Sequence, residues 1–78
     1  RRGGKSFKWA SPALKGVPDR LVMLPGGKVG FLELKAPGKK PTTLQQYYLD
    51  VLSSLGFTAG YADTKESVNQ FLDRLQHA

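Results

Sequence analysis

An acidic residue and a lysine, Glu33 and Lys35, stand two positions apart in an apolar run of the chain. Successive side chains of a β-strand point to opposite faces, so a strand here places both on one face. Asp19 lies fourteen positions before Glu33, directly after a proline. Two carboxylates can bind a hard divalent cation that holds a phosphate and acidifies a water. Because a lysine beside them can position or deprotonate that water and offset charge on the phosphate, these residues predict phosphodiester hydrolysis.

The element that must position these groups is a β-hairpin. Extended runs at 20–24 and 29–35 are joined by a turn rich in proline and glycine. A two-residue turn at the glycine pair 26–27 would put Asp19 and Glu33 on opposite faces of the sheet, where one metal is not easily shared. A three-residue loop at 25–27, or a bulge nearer Asp19, brings the two side chains opposite each other, about 5 Å apart. We predict that irregularity.

The chain before the hairpin is basic. Residues 1–6 are expected to form a disordered arm unless nucleic acid or a partner orders them. Alternation at 7–10 predicts a short strand that Ser11-Pro12 ends, in which Trp9 is either a core residue or a platform for a base. Residues 13–17 are then a basic loop that leads into the site.

A helix is predicted after the hairpin. A threonine at 42–43 caps it, a glutamine at 45–46 completes a capping box, and Gly56 ends it. By its position alone, Gln45 is a surface or capping residue. The apolar residues at helical spacing, which predict the face that packs on the sheet, are Leu44, Tyr48, Val51, Leu52 and Leu55.

The C-terminal segment predicts one more strand and one more helix. An extended run at 57–62 implies a parallel pairing through a right-handed crossover, and hence a mixed sheet. The run at 63–66 has the spacing of a capping box, so Asp63 is interpreted as a helix cap rather than a metal ligand. The apolar face of this helix consists of Val68, Phe71, Leu72 and Leu75.

Composition indicates one small domain. Seventy-eight residues rarely build a stable core without help, which predicts a second subunit. Interface candidates, which are otherwise intradomain core, are Tyr47, Tyr48 and Phe57.

The absence of cysteine excludes disulfides, thiolate zinc sites and cysteine nucleophiles. No apolar run is long enough to span a membrane, and we expect an intracellular protein of a bacterial or phage-infected cell.

The net charge of +6 is concentrated in the half of the chain with the proposed site. Residues 1–40 carry ten Lys or Arg against two acids, and residues 41–78 carry two against four. A polyanion such as DNA would be held there through its phosphates, whereas the alternative is a merely solvated basic face. Candidate phosphate contacts are Lys8, Lys15, Arg20, Lys39 and Lys40. The last two lie in a loop at 36–41 that is otherwise a solvated turn.

Three stretches together resemble a known family. They are Gly16-Val17-Pro18-Asp19-Arg20, the run from Phe31 through Glu33 and Lys35 to Lys40, and Leu44-Gln45 at the start of a helix. Their order and spacing are similar to the virus-type replication-repair nucleases (VRR-NUC) of the PD-(D/E)xK superfamily. The resemblance runs from about residue 7 to residue 75.

This resemblance implies an α/β, restriction-endonuclease-like core, a small mixed sheet flanked by helices, in one domain over residues 1–78. It implies that Asp19, Glu33 and the backbone carbonyl of Leu34 bind Mg2+ or Mn2+. Lys35 would be the catalytic lysine, and Gln45 would lie beside the site and orient the water or the lysine. It further implies a homodimer that acts on branched, Holliday-junction-like DNA.

The sequence departs from the family pattern at its N-terminus. Family members usually begin with a helix that carries an acidic residue, whereas nothing acidic precedes Asp19 here. Either the sequence lacks its start or that helix is absent. If the helix is absent, a metal ligand or a water contact is lost, and part of the sheet is left for another chain to cover. The alternative function is therefore a nucleic-acid-binding module without catalysis.

Overall fold

A four-stranded mixed sheet carries two helices in the computed structural model, which describes residues 2–10 and 15–78. The elements are β1 (Lys5–Lys8), β2 (Arg20–Leu24), β3 (Lys28–Leu34), α1 (Thr43–Ser54), β4 (Thr58–Ala62) and α2 (Lys65–Gln76). The strand order is β1-β2-β3-β4, with β1–β2 and β2–β3 antiparallel and β3–β4 parallel. The predicted α/β fold and the crossover through α1 are confirmed.

The hairpin between β2 and β3 has the predicted irregular register. Leu24 is paired with Lys28, so three residues, 25–27, form the loop. Both loop glycines have positive φ angles, 90° at Gly26 and 75° at Gly27, a region that side chains with a Cβ rarely adopt. The glycine pair therefore permits this loop, and the loop length sets which residues of the two strands face each other.

One face of the sheet is covered by α2. The core on this side contains Val22, Leu24, Leu32, Ala62, Phe71 and Leu75. The predicted apolar face of α2 is confirmed, because Phe71 and Leu75 are almost fully buried and Val68 and Leu72 pack against them. Gly30 of β3 permits this close approach, since a Cβ there would lie 2.9 Å from Phe71 Cζ.

The opposite face carries α1, which packs over β4 with Leu49 as its buried residue. The predicted apolar face of this helix is wrong at its ends, because Leu44 and Leu55 are 48% and 68% exposed. Apolar residues extend around more than one stripe of α1, so their spacing does not decide which stripe meets the sheet. Leu44 instead lies against the loop at Gly16, where an added Cβ would come within 2.8 Å of its Cγ.

Both helices begin with a capping box. Thr42 caps α1 and pairs with Gln45, as predicted, and Gly56 follows the helix with a φ of 95°. In α2 the predicted cap is wrong by one position, since Thr64 is the N-cap and pairs with Ser67. The sequence at 63–67 fits two capping frames, and the hydroxyl of Ser67 selects the second.

No helix in the described part of the chain is long and apolar enough to cross a membrane.

The N-terminal segment is more ordered than predicted. The first strand runs over residues 5–8 rather than 7–10, because its pairing with β2 continues to Met23. The guanidinium of Arg2 donates to Asp73 at 2.8 Å and to Gln76 at 2.9 Å, which holds the arm along α2. The predicted disordered arm is therefore wrong from Arg2 onward. Arg1, the strand end at Ser11-Pro12 and the first part of the loop predicted at 13–17 lie outside the described residues.

Candidate functional site

A row of four side chains crosses the sheet on the α1 face. Arg20 pairs with Leu32, so the preceding residue, Asp19, lies level with Glu33. On one side the backbone N–H of Trp9 donates to the Asp19 carbonyl at 2.8 Å, and on the other side Glu33 is paired with Tyr61 of β4. We call Trp9, Asp19, Glu33 and Tyr61 the carboxylate row. The two acids therefore occupy its centre, in the register that a shared cation requires.

Glu33 is a buried carboxylate with polar contacts from two directions. Its residue is 6% exposed. The ammonium of Lys35, on the same strand face, lies 3.5 Å from Glu33 Oε2. From α1, Gln45 Nε2 donates to the same oxygen at 3.4 Å. The structure thus brings the predicted acid, lysine and glutamine together.

The electrostatics of Glu33 favour a bound cation. Burial raises the pKa of this carboxyl above its ordinary value of 4.5, and the nearby charge of Asp19 raises it further. Lys35 and the backbone N–H of Asp19 act in the opposite direction without cancelling the rise. A divalent cation between the two carboxylates would relieve both the desolvation and the like-charge repulsion.

Asp19 is fixed at the start of β2 from both sides. The side chain of Pro18, immediately before it, is fully buried. The carboxylate oxygen Oδ1 of Asp19 accepts a hydrogen bond from the backbone N–H of Leu34 at 3.1 Å. Asp19 is thereby held against the end of β3, next to the backbone whose carbonyl was predicted as a third metal ligand.

The side chain of Gln45 has both a structural and a site contact. Its Oε1 accepts from the backbone N–H of Thr42 at 2.9 Å, which closes the capping box. Because Oε1 is used in this way, the amide nitrogen must point away from the cap, and it points at Glu33. The predicted capping role of Gln45 is confirmed, and the same side chain also contacts Glu33.

The donor set fits a hard divalent cation. Among residues 2–10 and 15–78 no group of three or more His, Cys, Asp or Glu side chains is placed to hold a metal. Two carboxylates with a neighbouring backbone carbonyl are nevertheless sufficient for Mg2+, which keeps several of its waters and is commonly held by one or two carboxylates plus phosphate oxygens. Asp19, Glu33 and the Leu34 carbonyl are the residues that would supply these ligands.

Three of the five predicted DNA-contacting residues lie near the carboxylate row. Lys39 and Lys40 are exposed in the connection between β3 and α1. Lys15 is exposed beside Gly16, which packs on Leu44 in the first turn of α1. These residues can approach a phosphate at the site.

The other two predicted contacts lie on the opposite face. Lys8 and Arg20 are paired with each other, and Arg20 is level with Leu32, which is buried under α2. Strand alternation directs all three side chains to the α2 side of the sheet. The structure therefore does not bring Lys8 and Arg20 to the carboxylates.

Two residues near the site have roles that the sequence did not suggest. Tyr61 faces Glu33 across β3 and β4, a register that the sequence pattern of two parallel strands does not encode. Asp63 accepts a hydrogen bond from the backbone N–H of Gly38 at 3.0 Å, so it anchors the lysine-bearing loop instead of capping α2. The sequence hinted at this role of Asp63 only in that the capping box of α2 can also begin one residue later, at Thr64.

The sheet order, the crossover helix and the paired carboxylates with an adjacent lysine define a restriction-endonuclease-like fold. A solved VRR_NUC domain superimposes on this chain with a TM-score of 0.82 and 26% sequence identity, covering 92% of this chain and 78% of that one.

Sequence comparison gives a second relationship. The chain is 47% identical over 64 residues to the protein called "Putative nuclease p44" of Acyrthosiphon pisum secondary endosymbiont phage 1, a match that covers 82% of this chain and 69% of the relative. No family model matches the sequence. The chain belongs to the VRR-NUC family, and the predicted family and fold are confirmed.

Proposed function

We propose that this protein is a divalent-metal-dependent endonuclease that hydrolyses phosphodiester bonds of DNA. The observation that carries the proposal is the surroundings of Glu33, a buried carboxylate level with Asp19 and contacted by Lys35 and Gln45. A buried acid is expensive unless it is paired or binds a metal, and here Lys35 pairs with Glu33 while burial and the second acid, Asp19, still raise the pKa of Glu33. Membership in a nuclease family supports the same chemistry.

Asp19, Glu33 and the Leu34 carbonyl would hold Mg2+ or Mn2+. When bound, such an ion supplies an anchor for the scissile phosphate and lowers the pKa of a water. The hydrogen bond from the Leu34 N–H fixes the Asp19 carboxylate, so this ligand needs no reorganisation when substrate arrives.

Lys35 and Gln45 would act on the water and the phosphate. The ammonium of Lys35 is held beside Glu33, from where it donates to the attacking water or to a phosphate oxygen and offsets developing negative charge. Gln45 orients the Glu33 carboxylate from α1. The exposed lysines at 15, 39 and 40 would hold the flanking phosphates.

A homodimer acting on branched DNA is the second part of the proposal. Four aromatic residues on the α1 face of the sheet form a group that we call the aromatic surface: Phe7, Trp9, Phe31 and Phe57. Trp9 and Phe57 contact Phe31 with ring centroids 5.2 and 5.3 Å apart, and Phe7 and Phe57 remain 50% and 44% exposed. Of the three predicted interface residues, Phe57 belongs to this surface. Two copies joined there by a two-fold axis would present two sites to the two strands of a Holliday-like junction.

Light scattering at micromolar concentration tests the dimer. We expect twice the mass of one chain for the wild type and a lower mass for Phe57→Lys, while Leu55→Lys, which alters an exposed position outside the aromatic surface, should not change the mass. A wild-type mass near 8.6 kDa would contradict the dimer.

A DNA-binding module without catalysis is the second candidate. The observation that favours it is that, among the described residues, no third His, Cys, Asp or Glu side chain joins Asp19 and Glu33 at the site. Incubation of junction, flap and linear DNA with Mn2+, and separately with EDTA, distinguishes the two functions. Metal-dependent cleavage, strongest on the junction, supports the endonuclease, whereas salt-sensitive binding with no cleavage under any metal condition supports the module.

A further inference from the structure

A cleft of about 540 Å³ opens beside the first turns of α1. Its lining residues include two tyrosines, Tyr47 and Tyr61, and two charged residues, Lys40 and Asp50. This volume lies within the range of small-ligand pockets.

The cleft adjoins the carboxylate row. Tyr61, which lines it, is the strand partner of Glu33. Neighbouring strands are about 4.8 Å apart, so the cleft begins one strand spacing from the buried acid. The first turn of α1 forms a second connection, since Gln45 contacts Glu33 and the next residue, Gln46, lines the cleft. A strand of DNA with a phosphate at Glu33 would therefore place an adjacent nucleotide at this opening.

The two tyrosines are accessible to a ligand. Tyr47 is 57% exposed and Tyr61 is 37% exposed, whereas α1 meets the sheet through Leu49. Tyr47 packs edge-on against Tyr48, with ring centroids 5.2 Å apart. Exposed aromatic rings beside a basic loop are the usual means by which proteins stack unpaired bases.

The charges in the cleft favour a base over a bare phosphate. Lys40, in the loop between β3 and α1, lines the cleft and can contact a backbone phosphate of a nucleotide bound there. Asp50 would repel a phosphate that entered the cleft, and its carboxylate already accepts from Gln46 Nε2 at 2.9 Å. A carboxylate can accept further hydrogen bonds from the amino group of a base, as acids do from cytosine. Adenine, cytosine and guanine carry such a group, and thymine does not.

We propose that this cleft binds an unpaired nucleobase of the DNA strand whose neighbouring phosphate lies at Glu33, with a preference for bases that carry an amino group. This inference rests on the proposed nuclease function, and it specifies the substrate as DNA with an unpaired nucleotide next to the cleaved bond. Stacking between or against Tyr47 and Tyr61 holds the base, and Asp50 selects it.

The test uses a branched oligonucleotide with one unpaired 2-aminopurine at the branch, whose fluorescence is quenched on stacking. The wild-type protein is titrated in EDTA, so that no cleavage is needed. We expect quenching on binding, and a loss of affinity of at least roughly fivefold with loss of most quenching in Tyr47→Ala. Tyr47→Phe, which keeps the ring, and Leu55→Ala, at the exposed C-cap of α1, should behave as wild type.

Base choice is measured by competition with unlabelled oligonucleotides that differ only at the unpaired position. Wild type should bind thymine more weakly than the other three bases, and Asp50→Ala should remove that difference. Quenching that is unchanged in Tyr47→Ala, or a change in the mass of Tyr47→Ala by light scattering, would overturn the inference. The first outcome means that the base stacks elsewhere, and the second means that Tyr47 belongs to a protein interface.

The failure of this inference is distinguishable from failure of the proposed function. Cleavage of the same branched DNA in Mn2+ without any quenching in EDTA would leave the nuclease and remove the base site. Quenching that depends on Tyr47 in a protein that cuts nothing would keep the base site and assign it to a binding module.

Discussion

The amide nitrogen of Gln45 lies 3.4 Å from the buried carboxylate of Glu33, while the amide oxygen of the same side chain closes the capping box of α1. One side chain therefore joins the start of a helix to the centre of the candidate site. Because the amide oxygen is used in the cap, the amide nitrogen is free to contact Glu33 from the start of α1.

Replacing Gln45 with Glu separates these two contacts. A glutamate still accepts from the Thr42 N–H, so the capping box survives. It loses the donor to Glu33 and adds a second negative charge beside it. We expect cleavage to fall by at least about tenfold, with the free energy of unfolding changed by about 1 kcal/mol or less. Single-turnover cleavage and urea unfolding measure the two effects. Gln70→Glu on the exposed side of α2 is the matched control, and full activity of Gln45→Glu would show that the contact with Glu33 is unimportant.

Lys35→Ala should reduce the cleavage rate by orders of magnitude and leave metal binding in place. The lysine contacts Glu33 but is not a metal ligand, so its loss removes a donor to water and phosphate and not a ligand. Isothermal titration with Mn2+ and single-turnover cleavage of the same protein, both at pH 8, measure the two properties. Lys65→Ala, at an exposed position of α2, controls for the loss of one positive charge. Loss of metal affinity in Lys35→Ala would contradict the assigned role.

The raised pKa of Glu33 predicts a pH-dependent stability of the metal-free protein. The folded state binds the proton of this carboxyl more tightly than the unfolded chain, whose carboxyl titrates near 4.5. The stabilising contribution is fully present below pH 4.5 and is lost as the pH rises through the folded pKa. We therefore expect the unfolding free energy of the wild type, measured in EDTA relative to Glu33→Gln, to decrease between pH 4.5 and that pKa. A difference that is flat or increases over this interval would contradict the burial of Glu33 beside Asp19.

Loss of a lysine from the loop between β3 and α1 should weaken DNA binding more than loss of a lysine from the α2 side of the sheet. Lys39→Ala should weaken DNA binding and reduce the slope of log affinity against log salt by about one unit, since one phosphate contact is lost. Lys8→Ala, at an exposed strand position directed to the other face, should change both quantities much less. Fluorescence anisotropy at several salt concentrations measures both variants. Equal losses would mean that DNA also contacts the α2 side of the sheet.

The hairpin could be predicted from the sequence because its register depends on local chemistry. Two glycines adopt positive φ in a three-residue loop, and the loop places Asp19 level with Glu33. The period of two along β3 then puts Lys35 on the same face as Glu33. These short-range rules were sufficient to predict that Asp19, Glu33 and Lys35 lie together.

What the sequence could not predict depends on contacts between distant segments. The buried stripe of α1 is chosen by its packing on β4, so Leu49 is buried where Leu44 and Leu55 were expected. The order of the N-terminal arm results from hydrogen bonds between Arg2 and α2, more than sixty positions away. The pairing of Glu33 with Tyr61 follows from the register of two parallel strands, which a crossover helix sets in three dimensions.

The most direct test of the central claim is cleavage by Asp19→Asn and Glu33→Gln. Each variant keeps the size of the side chain and removes one metal-binding charge near the phosphate. Single-turnover cleavage of junction DNA in Mg2+ and in Mn2+ should be abolished in both, while DNA binding in EDTA should be as tight as in the wild type or tighter, because less negative charge opposes the phosphates. Near-wild-type cleavage in Mg2+ by either variant would remove that carboxylate from the site and contradict the shared metal.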